Sequence, residues 1–213
     1  RAQGGSRDAD LTWLDAQIPM GLSADGRTVL LAHYGDWDLP DRTNLYLRPL
    51  DGGPAVKLGR AGQASGLSPD GRWVATTRTD VRSGNADIWL YDQQRGAWTR
   101  FTFDSAIDNS PIFSPDSSRI VFASTRAGVA GLYVKPTYAG GSERLLAAIG
   151  EVNAQDWSSD GRLILYGVYS PQSSWDIGVV AVDGSAPPTL VIRSQHGERS
   201  GRFSPDAKWI AYD

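Results

Sequence analysis

Apolar residues along this chain come in short unbroken runs rather than in alternation. Val29-Leu30-Leu31-Ala32, Ile120-Val121-Phe122-Ala123 and Leu163-Ile164-Leu165-Tyr166 are each apolar at four consecutive positions. An alternating strand has one wet face, whereas an unbroken run bounded by turns predicts a strand buried on both. A second apolar segment follows each run, as Leu45-Tyr46-Leu47, Ile88-Trp89-Leu90, Leu132-Tyr133-Val134 and the stretch from Ile177 to Val182. Gly, Pro and β-branched residues interrupt every window of helical length, so the elements are strands.

A Ser-x-Asp turn precedes these runs and recurs five times. Its aspartates are Asp25, Asp70, Asp116, Asp160 and Asp206, separated by 45, 46, 44 and 46 residues. That period is the length of one four-stranded blade of a β-propeller. In the second repeat, Gly66-Leu67-Ser68 leads into Pro69-Asp70-Gly71, where Pro presets φ, Asp bonds its own backbone and Gly accepts positive φ. Strands B, C and D are then expected at Trp73–Thr77, Ile88–Tyr91 and Trp98–Thr102. Two turns depart from the pattern, with Ser117 and Ala207 where Gly stands elsewhere. If those positions are left-handed, each costs about 1 kcal/mol. Ser118 reads as an inserted residue that changes the type of the third turn.

The fold expected is all-β: a single propeller domain over 1–213, with repeats at about 16–60, 61–107, 108–151 and 152–197. Leu11 to Leu14 aligns with a strand D that has no blade of its own, and Gly201–Ser204 with Lys208–Tyr212 supply strands A and B of a fifth unit. The remnants are complementary, so 198–213 with 10–15 is expected to form a closing blade, which would hide both edges. The chain is expected to be a piece of a larger protein in origin and a five-unit ring in shape. A self-closed monomer is the first expectation and an edge-exchanged dimer the second.

Composition narrows the chemistry. The 213 residues are 40% hydrophobic and 21% charged with formal charge -3, and no basic stretch marks a nucleic-acid footprint. The absence of cysteine removes disulfides, Cys-zinc sites and thiol catalysis. Arg1 to Asp10 is polar and Gly-containing, without an uncleaved signal peptide, and no apolar run approaches membrane-spanning length. No membrane insertion is expected.

Antiparallel order puts the Asp turns on one rim and the B-to-C and D-to-A loops on the other face. Arg27, Arg72, Arg119, Arg162 and Lys208 follow the aspartates, and read best as locally balanced hairpin tips. The opposite loops vary from repeat to repeat, as a binding surface on a regular scaffold does. Trp37 and Trp175 are its candidate anchors for a partner, with Arg42, Arg78, Arg126 and His196 as polar company, because aromatic and Arg side chains dominate binding hot spots. Asp36, Asp38 and Asp41 offer oxygens to a hard cation, yet too few ligands follow, so neither metal nor cofactor is expected. His33 and His196 belong to different blades and make no metal pair. Asp108, Glu151, Asp156 and Glu198 lie in D-to-A segments, where an acid and a base carboxylate of a glycosidase or lyase would have to converge.

At Ser68-Pro69-Asp70-Gly71-Arg72-Trp73-Val74-Ala75, followed by Asp87-Ile88-Trp89, the sequence resembles the WD-like β-propeller repeat of the TolB family. Similar repeats occur in the propellers of prolyl oligopeptidase and dipeptidyl peptidase relatives. The stretch Leu11–Leu31, with Leu11-Thr12-Trp13-Leu14-Asp15 and Gly21-Leu22-Ser23-Ala24-Asp25-Gly26, is similar to propellers attached to bacterial serine/threonine kinases. The resemblance implies a protein-interaction, sensing or substrate-gating module rather than an enzyme. It also implies a protein or peptide partner, and leans toward an extracytoplasmic, periplasmic setting. No phosphate-cradling loop with Lys, kinase catalytic loop or Gly-x-Ser-x-Gly elbow is present. The expected function is a non-catalytic scaffold that binds its partner through the loop face. A shortened propeller with no ligand, and a glycosidase or lyase using channel-mouth carboxylates, are the alternatives.

Overall fold

The computed structural model describes residues 17–34, 43–60, 65–128, 130–138, 140–194 and 196–213. Four antiparallel four-stranded sheets follow one another along the chain. The first holds β1 (Gln17–Leu22), β2 (Thr28–Tyr34), β3 (Thr43–Pro49) and β4 (Val56–Arg60) in that order. The second holds β5 (Ser65–Leu67), β6 (Trp73–Thr79), β7 (Ala86–Asp92) and β8 (Ala97–Arg100), and the third β9 (Asp108–Phe113), β10 (Arg119–Ser124), β11 (Gly131–Pro136) and β12 (Arg144–Ala148). The fourth is β13 (Val152–Trp157), β14 (Leu163–Ser170), β15 (Ser174–Ala181) and β16 (Thr189–Ile192). A fifth, two-stranded unit pairs β17 (Arg202–Phe203) with β18 (Ile210–Ala211). The innermost strands β1, β5, β9, β13 and β17 touch in succession, so the sheets are blades around a ring. Segment 10–15, expected to complete the fifth blade, lies outside the described residues.

The apolar cores sit between blades. Ala75, Ile88, Leu90 and Phe101 of the second blade meet Phe113, Ile120, Phe122 and Tyr133 of the third. Val121, Ala123, Leu132 and Val134 leave the other face of that third blade and meet Val152, Trp157, Ile164 and Tyr166 of the fourth. Leu30, Leu45, Leu47 and Leu58 of the first blade enclose Val74 of the second. Because side chains alternate between the faces of a strand, Ile120 and Phe122 serve one neighbour while Val121 and Ala123 serve the other. This is why strand B is apolar at consecutive positions in the first, third and fourth blades, while β6 buries Thr76 and Thr77 in their place.

Each Ser-x-Asp turn is clamped in the same way. The Ser Oγ donates to the carboxylate at 2.6, 2.5, 2.5, 2.6 and 2.6 Å, from Ser23, Ser68, Ser114, Ser158 and Ser204 to the Asp two residues on. It also accepts the backbone N–H that opens strand B, from Thr28, Trp73, Arg119, Leu163 and Trp209. The carboxylate accepts a further N–H, from Arg27, Arg72, Ser118, Arg162 and Lys208. Ser118 therefore stands where Arg or Lys stands in the other turns. The third turn has the common geometry and no inserted residue, contrary to the sequence expectation. Arg119 is shifted onto strand B, where its guanidinium lies 5.3 Å from the Trp157 ring.

Ser117 and Ala207 are left-handed, with φ of 60° and 55°. Ser117 uses its side chain to offset the strain, since its Oγ accepts the N–H of Asp70 from the preceding turn at 3.1 Å. Neighbouring turns are joined elsewhere by the Ala24 N–H to the Pro69 carbonyl at 3.3 Å and by the Ser159 hydroxyl to the Pro205 carbonyl at 2.7 Å. The first three Asp turns are thus bonded in series, and the fourth is bonded to the fifth.

Two predictions follow from the rim. The Ser114 hydroxyl and Ser118 N–H hold the Asp116 carboxyl down to about 2, and the corresponding Ser hydroxyls lower Asp25, Asp160 and Asp206. A depressed folded pKa contributes stability that is complete above the unfolded value of about 3.9 and is lost as pH falls through the folded one. The urea midpoint is expected to hold down to about pH 4 and to fall between about pH 4 and 2, with Asp116→Asn showing a shallower fall. Ala207→Gly relieves a left-handed residue but frees the unfolded chain, for a net gain of about 0.5–1 kcal/mol in chemical denaturation. Ser117→Gly is expected to lack that gain, because it also removes the acceptor for Asp70.

Candidate functional site

The innermost strands surround a central cavity of about 520 Å³. Met20 of β1, Pro111 and Ile112 of β9 and Ala154 of β13 give it an apolar wall, and Asn153, Gln155, Arg199, Ser200 and Arg202 a polar one. Trp175, at the start of β15, brings an indole to the same cavity. The β14–β15 hairpin places it there: Ser174 takes φ of 71°, and Trp175 pairs across the strands with Tyr169. Their rings meet nearly edge-on, 6.0 Å apart at 69°. Trp175 is half-buried.

Of the other sequence-predicted residues, Arg78, Arg126 and His196 are described. Trp37 and Arg42 lie outside the described residues. Arg78, at the end of β6, is half-buried, with its guanidinium 3.9 Å from the Trp98 ring and 5.1 Å from that of Trp89. Burial lowers its pKa, and its Nε has no hydrogen-bond partner among the described residues. The Trp98 indole N–H is fixed by the Leu58 carbonyl of the first blade at 2.7 Å. Arg126 is only 11% exposed and is engaged with Asp108 at 2.7 Å and Glu143 at 3.8 Å, over the Phe122 and Tyr133 rings. Lys135 joins this network through Glu143 at 2.8 Å and donates to the Phe101 carbonyl of the second blade at 2.7 Å. Burial alone would raise the pKa of Glu143, but the Lys135 bond and the nearby cations bring it below its ordinary value. His196 is exposed, and its backbone is held to the Ser194 hydroxyl by two bonds, at 3.0 and 3.1 Å.

Of the four residues suggested for acid–base work, Asp108 and Asp156 have their carboxylates tied into separate parts of the fold, while Glu151 and Glu198 are bonded through their main chain. Asp108 is fully buried against Arg126. Burial raises the pKa of Asp156, whose Oδ2 accepts the Phe203 N–H at 2.7 Å and so docks the fifth unit onto the fourth blade. Glu198 is buried beside Trp175, donating its backbone N–H to the Trp175 carbonyl at 2.9 Å, with Oε2 unpartnered among the described residues. Glu151 is exposed and accepts the Tyr169 N–H through its carbonyl. No group of three or more His, Asp or Glu among the described residues is placed to hold a metal. His33 sits in β2 with its ring edge-on to Tyr46, 6.5 Å away.

Sequence reasoning passed over Arg199 and Arg202. The signal was available, because strand A is the innermost of each blade and these residues stand immediately before and within the fifth copy of it. Arg202 donates to the Gln155 carbonyl and, at 3.3 Å, to that of Gly201. The Gly201 N–H reaches the Gln155 Oε1 at 2.9 Å.

Antiparallel four-stranded blades set around a central cavity define a β-propeller. The TolB beta propeller domain is matched from residue 21 to 213, and the chain belongs to that family. It is 32% identical over 127 residues to tricorn protease homolog 1 of Streptomyces coelicolor, an overlap covering 57% of this chain and 11% of that protein. Among solved structures, TolB from Acinetobacter baumannii superposes with a TM-score of 0.75 at 21% identity, over 92% of this chain and 48% of that one. The putative TolB from Agrobacterium tumefaciens gives 0.75 at 25% identity, over 92% and 69%. The chain thus spans a small part of its curated relative and about half of the first of these structures. Among the described residues, no helix is long and apolar enough to cross a membrane.

Gly201 offers a test of the cavity wall. A Cβ there would lie 2.6 Å from both Gln155 Oε1 and Leu165 Cδ2. Gly201→Ala is expected to cost about 1–3 kcal/mol through overpacking. Hydrogen exchange should show faster opening of 202–211 than of the four complete blades.

Proposed function

We propose that this chain is a non-catalytic recognition module of a larger bacterial protein and binds a protein or peptide at its loop face. One observation carries the reading: Trp175 stands at the central cavity, on the face where the repeats differ, while the opposite rim repeats one bonded turn five times. A rim whose polar groups are bonded to one another offers little to a partner. A half-buried indole beside a cavity offers an anchor. Arg78 and His196 extend the surface from neighbouring loops, with Trp37 and Arg42 as further candidates, and Arg126 supports it from beneath. Membership of the TolB propeller family favours a scaffold of this kind and an extracytoplasmic setting. The likeness to a tricorn protease homolog favours a second form of the same role, in which the propeller admits peptides to a peptidase.

Capture of a partner from lysate by the immobilised chain is expected, with Trp175→Ala reducing it at least tenfold, as hot-spot truncations of about 2 kcal/mol do. Undiminished capture by the folded variant would remove Trp175 from the site. Gel filtration is expected to give a monomer.

A further inference from the structure

We infer that the central cavity is a subsite for a short acidic peptide that also carries apolar side chains, with its carboxylates received by Arg199 and Arg202. This rests on the loop-face reading and specifies its ligand. The chain as a whole is negative, at -3, yet the described residues lining the cavity include two arginines and no carboxylate. Neither guanidinium forms an ion pair with a described residue. Several acidic groups elsewhere are taken up by structural pairs, as Asp108 is by Arg126, Asp87 by Arg100 and Asp176 by Arg193, while the Asp156 carboxylate, which accepts the Phe203 N–H, lies close enough to Arg202 to feel its charge. A positive concavity in a negative protein selects carboxylates and repels bulk cations.

The Arg202 guanidinium is positioned before any ligand arrives, and Arg199 has its main chain fixed. Arg202 is held by the Gln155 and Gly201 carbonyls, which leaves the rest of its donor fork free. The backbone of Arg199 is bonded twice to Asp213, at 2.7 and 3.1 Å. Fixing the Arg202 donors beforehand lowers the ordering cost of binding. Ser110 and Ser200 lie on the cavity wall with φ of 54° and 55°, and left-handed non-glycine residues tend to cluster at ligand sites.

The remainder of the lining distinguishes a peptide from other anions. Met20, Pro111, Ile112 and Trp175 gain nothing from phosphate or an acidic sugar, but they suit aliphatic side chains between the acidic ones. At about 520 Å³ the cavity falls within the span of roughly 300–1,000 Å³ typical of ligand pockets. It therefore receives a few residues of an extended segment rather than a folded domain.

The test is fluorescence anisotropy of the intact chain with a rhodamine-labelled Glu-Leu-Glu-Leu-Glu peptide, C-terminally amidated, against its Gln-Leu-Gln-Leu-Gln counterpart. Saturable binding of the Glu peptide is expected, weakening as salt is raised. Arg199→Gln and Arg202→Gln, checked for folding by circular dichroism, should each weaken it by roughly 10–100-fold, the range for a lost charged hydrogen bond. Arg202→Lys should restore part of the affinity. A free-acid Gln peptide that binds in the same Arg-dependent way would place a terminal carboxylate at the subsite. Equal binding of the amidated Gln peptide, affinity unchanged in both Gln variants, or a galacturonate trimer binding where the Glu peptide does not would each overturn the inference. If Trp175-dependent capture from lysate survives such a result, the acidic-ligand inference alone has failed; if capture fails as well, the loop-face reading falls with it.

Discussion

A small sheet with apolar side chains on both faces cannot stand alone in water, and the whole architecture answers that constraint. Ile120 and Phe122 are buried by the second blade, Val121 and Ala123 by the fourth, although the four residues are consecutive. Complete burial of a side chain such as Ile120, Val121 or Phe122 is worth about 1.5–3 kcal/mol, so a blade without neighbours loses most of its reason to fold. The stable object is therefore the succession of blades, and each one is the solvent for the next.

Stacking of this kind leaves the strand ends free to diverge, and the two ends of the strands have diverged differently. At the Asp rim the same hydroxyl–carboxylate clamp closes every hairpin, and turn-to-turn bonds such as Ser117 Oγ with the Asp70 N–H keep neighbouring hairpins in step. Even a departure from glycine is used there. At the loop face no common bond is imposed, and the connections carry an Arg stacked between indoles in one blade, a buried ion network in the next and the Trp175 hairpin in the fourth. Function is free to occupy that face because the fold does not depend on its details.

The fifth unit joins these two themes. It is docked by its main chain, through the Phe203 N–H on Asp156 and the Gly201 N–H on Gln155. Arg202 adds one side-chain bond, to the Gln155 carbonyl, and both it and Arg199 line the cavity. Among the described residues, the charge on the cavity wall is thus set by the unit with the fewest strands.

How much was legible in the sequence can be judged from particular residues. The run Ile120-Val121-Phe122-Ala123 and the interval between Asp70 and Asp116 determined a doubly buried strand and a blade period, because both follow from local periodicity alone. The left-handed turns at Ser117 and Ala207 were legible for the same reason, as departures from glycine at a fixed place in a repeat. Ser118 was misread as an insertion, since counting residues does not reveal which N–H the Asp116 carboxylate accepts. Arg126 shows the other limit. In the sequence it is an arginine in a loop, and only the approach of Asp108 and Glu143 from other strands makes it an internal ion pair. Local order along the chain thus determined the strands, their turns and their repetition, whereas the tertiary structure alone decided which charged side chains are neutralised inside the fold and which remain open to the cavity, because ion pairing depends on distances between residues far apart in sequence.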